Sequence, residues 1–282
     1  MSDELTRPKV FNRERFPPGV LIIFILVCVN MVGYISVFSL IELHISRHFQ
    51  VNLHSANHVS AAFNAMIFSL SLFGGVLGER FLGYRFAVKL ACILAALGFF
   101  ILMVPHIMAL YWGLSFVTIA LALMIPCLYV LLGRLYRLHD PWRDSGFTLV
   151  YIGSNIAGLI ATSINAPISI DWGVKYVFLI SAILMLVALW VFLRYRKELV
   201  NRPVRHDFVR LRPDAIKRNR KTGIFILIFS LPLVTLLYKF AQTANVMMII
   251  FGIAAFIMVL YLSRFETPEY RKKLRVFVML CV

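Results

Sequence analysis

The sequence predicts an all-α integral membrane protein. Three observations carry that expectation. The 282-residue chain is 61% hydrophobic, has a mean hydropathy of +0.84 and is only 15% charged. Apolar runs of about twenty residues recur along it, the length a helix needs to cross roughly 30 Å of hydrocarbon. Its 29 lysines and arginines are sorted between alternate loops. Helices are the natural spanning element, because each satisfies its own backbone hydrogen bonds.

A polar tail, residues 1–18, precedes the first apolar run at 19–43. That run is too long for the apolar region of a cleavable signal and lacks a small-residue cleavage site, so it reads as a retained span. Runs at 58–78, 86–105, 108–132, 146–168 and 173–193 complete a six-helix transmembrane bundle over 19–193. The stretch 194–222 is basic, polar and interrupted by Pro203 and Pro213. It reads as a cytoplasmic linker whose charges can meet anionic headgroups. Shorter runs at 223–238 and 244–263 read as an inserted helical hairpin. Residues 264–282 read as a cytoplasmic loop and the truncated start of a further span, since VFVMLCV is too short to cross a membrane.

Twenty-six of the 29 basic residues fall on one side of this arrangement, and only Arg47, Lys175 and Lys239 fall on the other. That asymmetry places the N-terminus in the cytoplasm of a multi-pass cell (inner) membrane protein. It also explains the net charge of +16 without nucleic acid, because the charges punctuate apolar runs. Cys28, Cys92, Cys127 and Cys281 lie in apolar segments with no metal spacing and read as packing or lipid-facing residues. No nucleophile–histidine pair, phosphate-binding glycine loop or paired carboxylates appears, so no enzyme, cofactor or metal is expected. His44, His48, His54 and His58 form two i,i+4 pairs that a helix would align for a metal, but the plainer reading is exposed loop histidines.

Two motifs carry the functional expectation. The first runs from Gly74 to Arg85, with Gly75, Glu79, Arg80, Gly83 and Arg85 spaced for a tight loop whose acid and arginines can latch neighbouring helix ends. It resembles the loop shared across the major facilitator superfamily, with Glu79 where that family usually has Asp, and so implies an inner gate. The second runs from Gly133 to Ile160. A charged, proline-containing loop leads into an apolar helix with an amide, Asn155, in its middle. A polar side chain at membrane depth is a functional candidate by default. Gly133, Leu135, Tyr136, Asp140, Pro141, Arg143, Asp144, Gly146, Phe147, Thr148, Tyr151 and Asn155 closely resemble the proton-dependent oligopeptide transporter family, a branch of that superfamily.

The resemblance covers residues 17–282 as the N-terminal half of a member, including the two-helix insertion of bacterial relatives. It implies a secondary active transporter of di- and tripeptides, with protons as the coupling ion, a lipid bilayer around it and a missing C-terminal half. It implies that Asn155 contacts substrate; packing against a neighbouring helix is the alternative. Tyr151, Tyr34 and Asn30 are further polar candidates for the cavity, with packing equally open. The departures bear on mechanism. The first-span acids and arginines of the family become Val27, Asn30, Met31 and Phe38, and the Lys-Pro of the fourth span becomes Ile125-Pro126. A second-span Tyr becomes Phe68. Glu42 is the remaining acid within the apolar runs, at an outer end. Two alternatives therefore stand beside peptide symport: a uniporter of a less polar solute, and a transport-inactive or truncated paralogue acting as a membrane partner or scaffold.

Overall fold

The computed structural model describes residues 16–49, 53–136, 140–195, 199, 213–240, 253 and 257. The tail before residue 16, Arg137, the side chains of His48 and His54, the linker residues 200–212, most of 244–263, and all of 264–282 with Cys281 lie outside the described residues. Every regular element among the described residues is a helix: α1 Pro18–Phe49, α2 Leu53–Leu77, a π-helical turn Gly78–Leu82, α3 Tyr84–Leu102, α4 Ile107–Leu135, α5 Arg143–Asp171, α6 Val174–Tyr195 and α7 Pro213–Lys239. Each of the seven α-helices contains an apolar stretch long enough to cross a membrane.

Local chemistry sets the ends. Pro18 and Pro213 occupy first helical positions, where a missing N–H leaves no helical bond unmade. Helix α7 thus begins ten residues ahead of its apolar run. Gly83 turns the chain between the π turn and α3 at φ 78°, a left-handed angle that side chains rarely adopt. The His106 ring nitrogen accepts the Met108 N–H at 3.2 Å and caps α4. Before α5, the Asp140 carboxylate accepts the Trp142 N–H at 3.0 Å and its carbonyl accepts the Arg143 N–H at 3.1 Å, with Pro141 fixing the turn. Pro126, Pro167 and Pro232 lie inside α4, α5 and α7, as membrane helices tolerate.

Helix α4 is the most enclosed; it touches α1, α2, α3, α5 and α7. Helices α5 and α7 are the least enclosed. Lipid gives helices no hydrophobic push toward each other, so close contact between small residues carries the association. A Cβ at Gly74 would lie 2.5 Å from the Ala122 carbonyl oxygen of α4, and one at Gly98 would lie 2.9 Å from the Val117 nitrogen. The Gly153, Ala157 and Ala161 stripe of α5 is buried, with Gly153 against the Phe24 ring of α1. Buried hydroxyls and an amide add directed links. Asn165 of α5 and Ser181 of α6 both donate to the Ser36 hydroxyl of α1, at 3.2 and 2.9 Å. Thr118 pairs with Tyr238 at 2.6 Å, and Thr235 donates to Ser115 at 2.9 Å, joining α4 to α7.

His44 is not an exposed loop histidine. It is buried on α1, edge-on to the Phe178 ring at 5.4 Å, because α1 continues past the apolar run to Phe49. Cys92 and Cys127 are buried and Cys28 is half-buried.

Replacing Gly74 by Leu must push α2 away from the α4 backbone. We expect destabilisation of about 1–3 kcal/mol. A melting curve followed by a thiol-reactive dye, which reports exposure of Cys92 and Cys127, should shift to lower temperature; an unchanged midpoint would contradict this close contact.

Candidate functional site

The polar candidates divide between the core and an open face. Asn155 and Tyr151 share one side of α5, one turn apart, and both are exposed. The Asn155 amide donates to the Tyr151 carbonyl at 2.9 Å, which holds the carboxamide against its own helix. The opposite side of α5 is the glycine and alanine stripe that meets α1, so packing there turns Asn155 outward.

Helix α1 supplies the second group. The Tyr34 hydroxyl donates to the Asn64 carboxamide oxygen of α2 at 2.5 Å. Its ring stacks on Phe38 with centroids 5.8 Å apart and lies 6.1 Å from Phe63. Phe68, one turn beyond Asn64, is 68% exposed. Of the positions that would carry charge in the resembled family, Phe38 lies in this aromatic stack, beside Tyr34. Asn30 is separate from this face. It is 4% exposed, and its carboxamide oxygen has no hydrogen-bond partner.

Sequence reasoning missed Asn64 and Tyr129. Asn64 is an amide in an apolar run, the same signal that singled out Asn155. Tyr129 of α4 stacks on Phe147 of α5 at 6.2 Å, three residues after the in-helix Pro126. Nothing in its spacing marks it.

The Gly74–Arg85 motif is built on the π turn. Gly75 faces the Pro126 ring, whose Cβ would lie 3.5 Å from an added methyl. Glu79, Arg80 and Arg85 are exposed. The Arg85 guanidinium donates to the Leu199 carbonyl at 3.2 Å, and Arg134 sits 4.6 Å over the Tyr84 ring. These cations tie the start of α3 to the end of α4 and to the chain beyond α6.

Much of the Gly133–Asn155 motif folds its own loop. A Cβ added at Gly133 would lie 3.5 Å from the Phe147 ring, and Gly146 receives the Tyr136 phenol. Tyr136 is buried with no hydrogen-bond partner for its hydroxyl. Burial, then the nearby Asp140 carboxylate, pushes its pKa up to about 12. The folded state thus holds the neutral phenol more firmly than the unfolded chain does. That contribution is intact below pH 10 and is lost as pH rises from 10 toward 12. In paired melts across that window, wild type should lose more stability than Tyr136→Phe; parallel curves would contradict the burial.

The profile of the Major Facilitator Superfamily matches residues 23–280. Over 199 residues the chain is 25% identical to Dipeptide and tripeptide permease A of Proteus mirabilis, covering 70% of this chain and 41% of that protein. Over 140 residues it is 32% identical to Peptide transporter YePEPT of Yersinia enterocolitica, covering 49% of this chain and 27% of the other. Among solved structures, a POT family transporter in complex with 5-aminolevulinic acid aligns with a TM-score of 0.72 at 21% identity, over 93% of this chain and 56% of that one. Peptide transporter POT in complex with sulfate aligns at 0.70 and 19%, with the same coverage. The chain therefore spans about half, or less, of the length of these proteins. These relatives are transporters, not enzymes. The chain is a multi-pass membrane protein that belongs to the Major Facilitator Superfamily, within which its likeness is to the POT branch of peptide transporters.

Proposed function

We propose that the chain forms one half of a secondary active transporter that moves small peptides or similar small solutes. The open face of α5 carries the reading. It presents an amide and a phenol, Asn155 and Tyr151, outward from the bundle at membrane depth, where a polar group facing lipid would be costly. A second six-helix body across a solute pathway would relieve that cost and supply the other wall. Rocking of the two bodies then gives alternating access. An amide both donates and accepts, which suits the peptide group and the charged ends of a short peptide. Tyr34 and Asn64 add a phenol and a second amide from α1 and α2. Asn30, buried and off this face, would act by packing inside the bundle. Glu79, Arg80 and Arg85 would latch the inner end, with the N-terminus in the cytoplasm, as the distribution of basic residues supports.

Proton coupling is the weaker half of the reading. Val27, Phe38 and Ile125 bring no ionisable group to the middle of α1 and α4, so protonation has no evident lever on the two access states. The aromatic surface of Tyr34, Phe38 and Phe68 favours a second reading, uniport of a less polar solute.

Uptake of labelled di- and tripeptides into liposomes containing the complete protein separates these readings. Uptake driven by an inward proton gradient supports symport. Saturable uptake indifferent to the gradient leaves uniport. No uptake by a folded protein leaves a transport-inactive membrane partner. In an active preparation, Asn155→Ala should lower uptake about tenfold through the loss of one directed contact; unchanged uptake would assign the amide to packing.

A further inference from the structure

Two amides of the pathway wall are tied down by opposite ends. The Asn155 nitrogen donates to the Tyr151 carbonyl, which leaves its carboxamide oxygen and one N–H for a ligand. Asn64 is the reverse. Its oxygen takes the Tyr34 phenol proton, so the part that remains is the NH2 group. Among the described residues nothing accepts from that nitrogen. A carboxamide carries two donors on one side and its acceptor oxygen on the other, so fixing the oxygen decides which chemistry a ligand meets.

The phenol that sets this choice is itself held. The Tyr34 ring lies nearly parallel to Phe38, at 3°, and against Phe63, which is fully buried. Two exposed rings stand on either side of the pair. Phe38 is one turn from Tyr34 toward the end of α1, and Phe68 is one turn from Asn64 toward the π turn. The two amides also share a depth. Asn64 lies 13 residues from the Leu77 end of α2, and Asn155 lies 12 residues from the Arg143 end of α5. At 1.5 Å per residue both are about 18–20 Å from that side of the bundle.

We propose that Asn64 is a specificity-determining residue of the transport pathway: its NH2 group, aimed by Tyr34, receives a carbonyl oxygen of the peptide, and Phe38 and Phe68 take the apolar side chain beside it. The inference rests on the peptide reading above and adds the polarity of one contact to it. A solute that brings a weak acceptor to this position leaves the Asn64 N–H desolvated without a full replacement for its water, which costs affinity. Tyr34 acts here through Asn64, as a positioning residue.

Uptake of phenylalanyl-alanine and of its thioamide, with sulfur in place of the peptide oxygen, into liposomes containing the complete protein tests this. Sulfur is the weaker acceptor, while the shape and charge of the dipeptide are kept. Wild type should favour the oxygen form by about fivefold in apparent KM, the scale of one weakened hydrogen bond. Asn64→Ala should bring the two forms to parity. Tyr34→Phe keeps the ring stack but releases the carboxamide, and should lower the preference. Asn155→Ala should depress uptake of both forms and keep the preference. Because the preference is a ratio read on one preparation, a smaller folded fraction does not imitate its loss. Equal KM values for the two forms in wild type, or a preference unchanged in Asn64→Ala, would overturn the subsite and leave the peptide reading standing. Wild type that takes up neither form would overturn the peptide reading and the subsite with it.

Discussion

The close approach of α4 to its neighbours is the constraint on which the rest of the structure depends. Lipid offers no apolar driving force between helices, so contact distance decides whether they associate. Gly74 and Gly98 bring α2 and α3 to the α4 backbone itself. Gly75 leaves room beside the Pro126 ring, so the proline inside α4 is accommodated by a missing side chain in α2. With α4 held at that distance, Tyr129 reaches the Phe147 ring of α5, and Ser115 and Thr118 meet the hydroxyls of α7. A wider spacing would loosen the π turn, the α5 face and the α7 contact together.

The Gly133–Asn155 motif does two kinds of work. Asp140, Pro141, Tyr136, Gly146 and Phe147 set how α5 leaves α4, through a turn, a buried phenol and an aromatic seat. Tyr151 and Asn155 then inherit an orientation from that loop and from the small residues on the far side of α5. Thus a motif that resembles a transport signature is, residue by residue, mostly a device for aiming one helix face.

The spans were legible because hydrophobic length and the sorting of basic residues are properties of the chain alone. Their ends were less so. Helix α1 runs to Phe49 past polar residues, and α7 starts at Pro213 within a stretch that reads as linker, since capping and helical continuity outweigh hydropathy there. Asn155 was legible as an isolated amide; its exposure was not, because that depends on which side of α5 packs. The Tyr34–Asn64 bond, the Ser36–Asn165–Ser181 cluster and the stacking of Tyr129 join residues on different helices, and no single-segment pattern encodes such pairings. Val27, Phe38 and Ile125 were informative from sequence alone, because a missing charge is visible without a structure.

The hydroxyl pairs between α4 and α7 have a consequence for biogenesis. Thr118 and Tyr238, like Ser115 and Thr235, are separated by 120 residues, so α4 is made well before its partner exists. Ser115 has a partner from the outset, because its hydroxyl donates to the Tyr111 carbonyl of its own helix at 2.7 Å. Thr118 gains its side-chain partner only when α7 docks. The α4 surface that α7 covers is therefore chemically unfinished while the first six helices assemble. It marks a vacancy that an arriving helix with hydroxyls at matching depth can complete, and one that a purely apolar helix would fill less well.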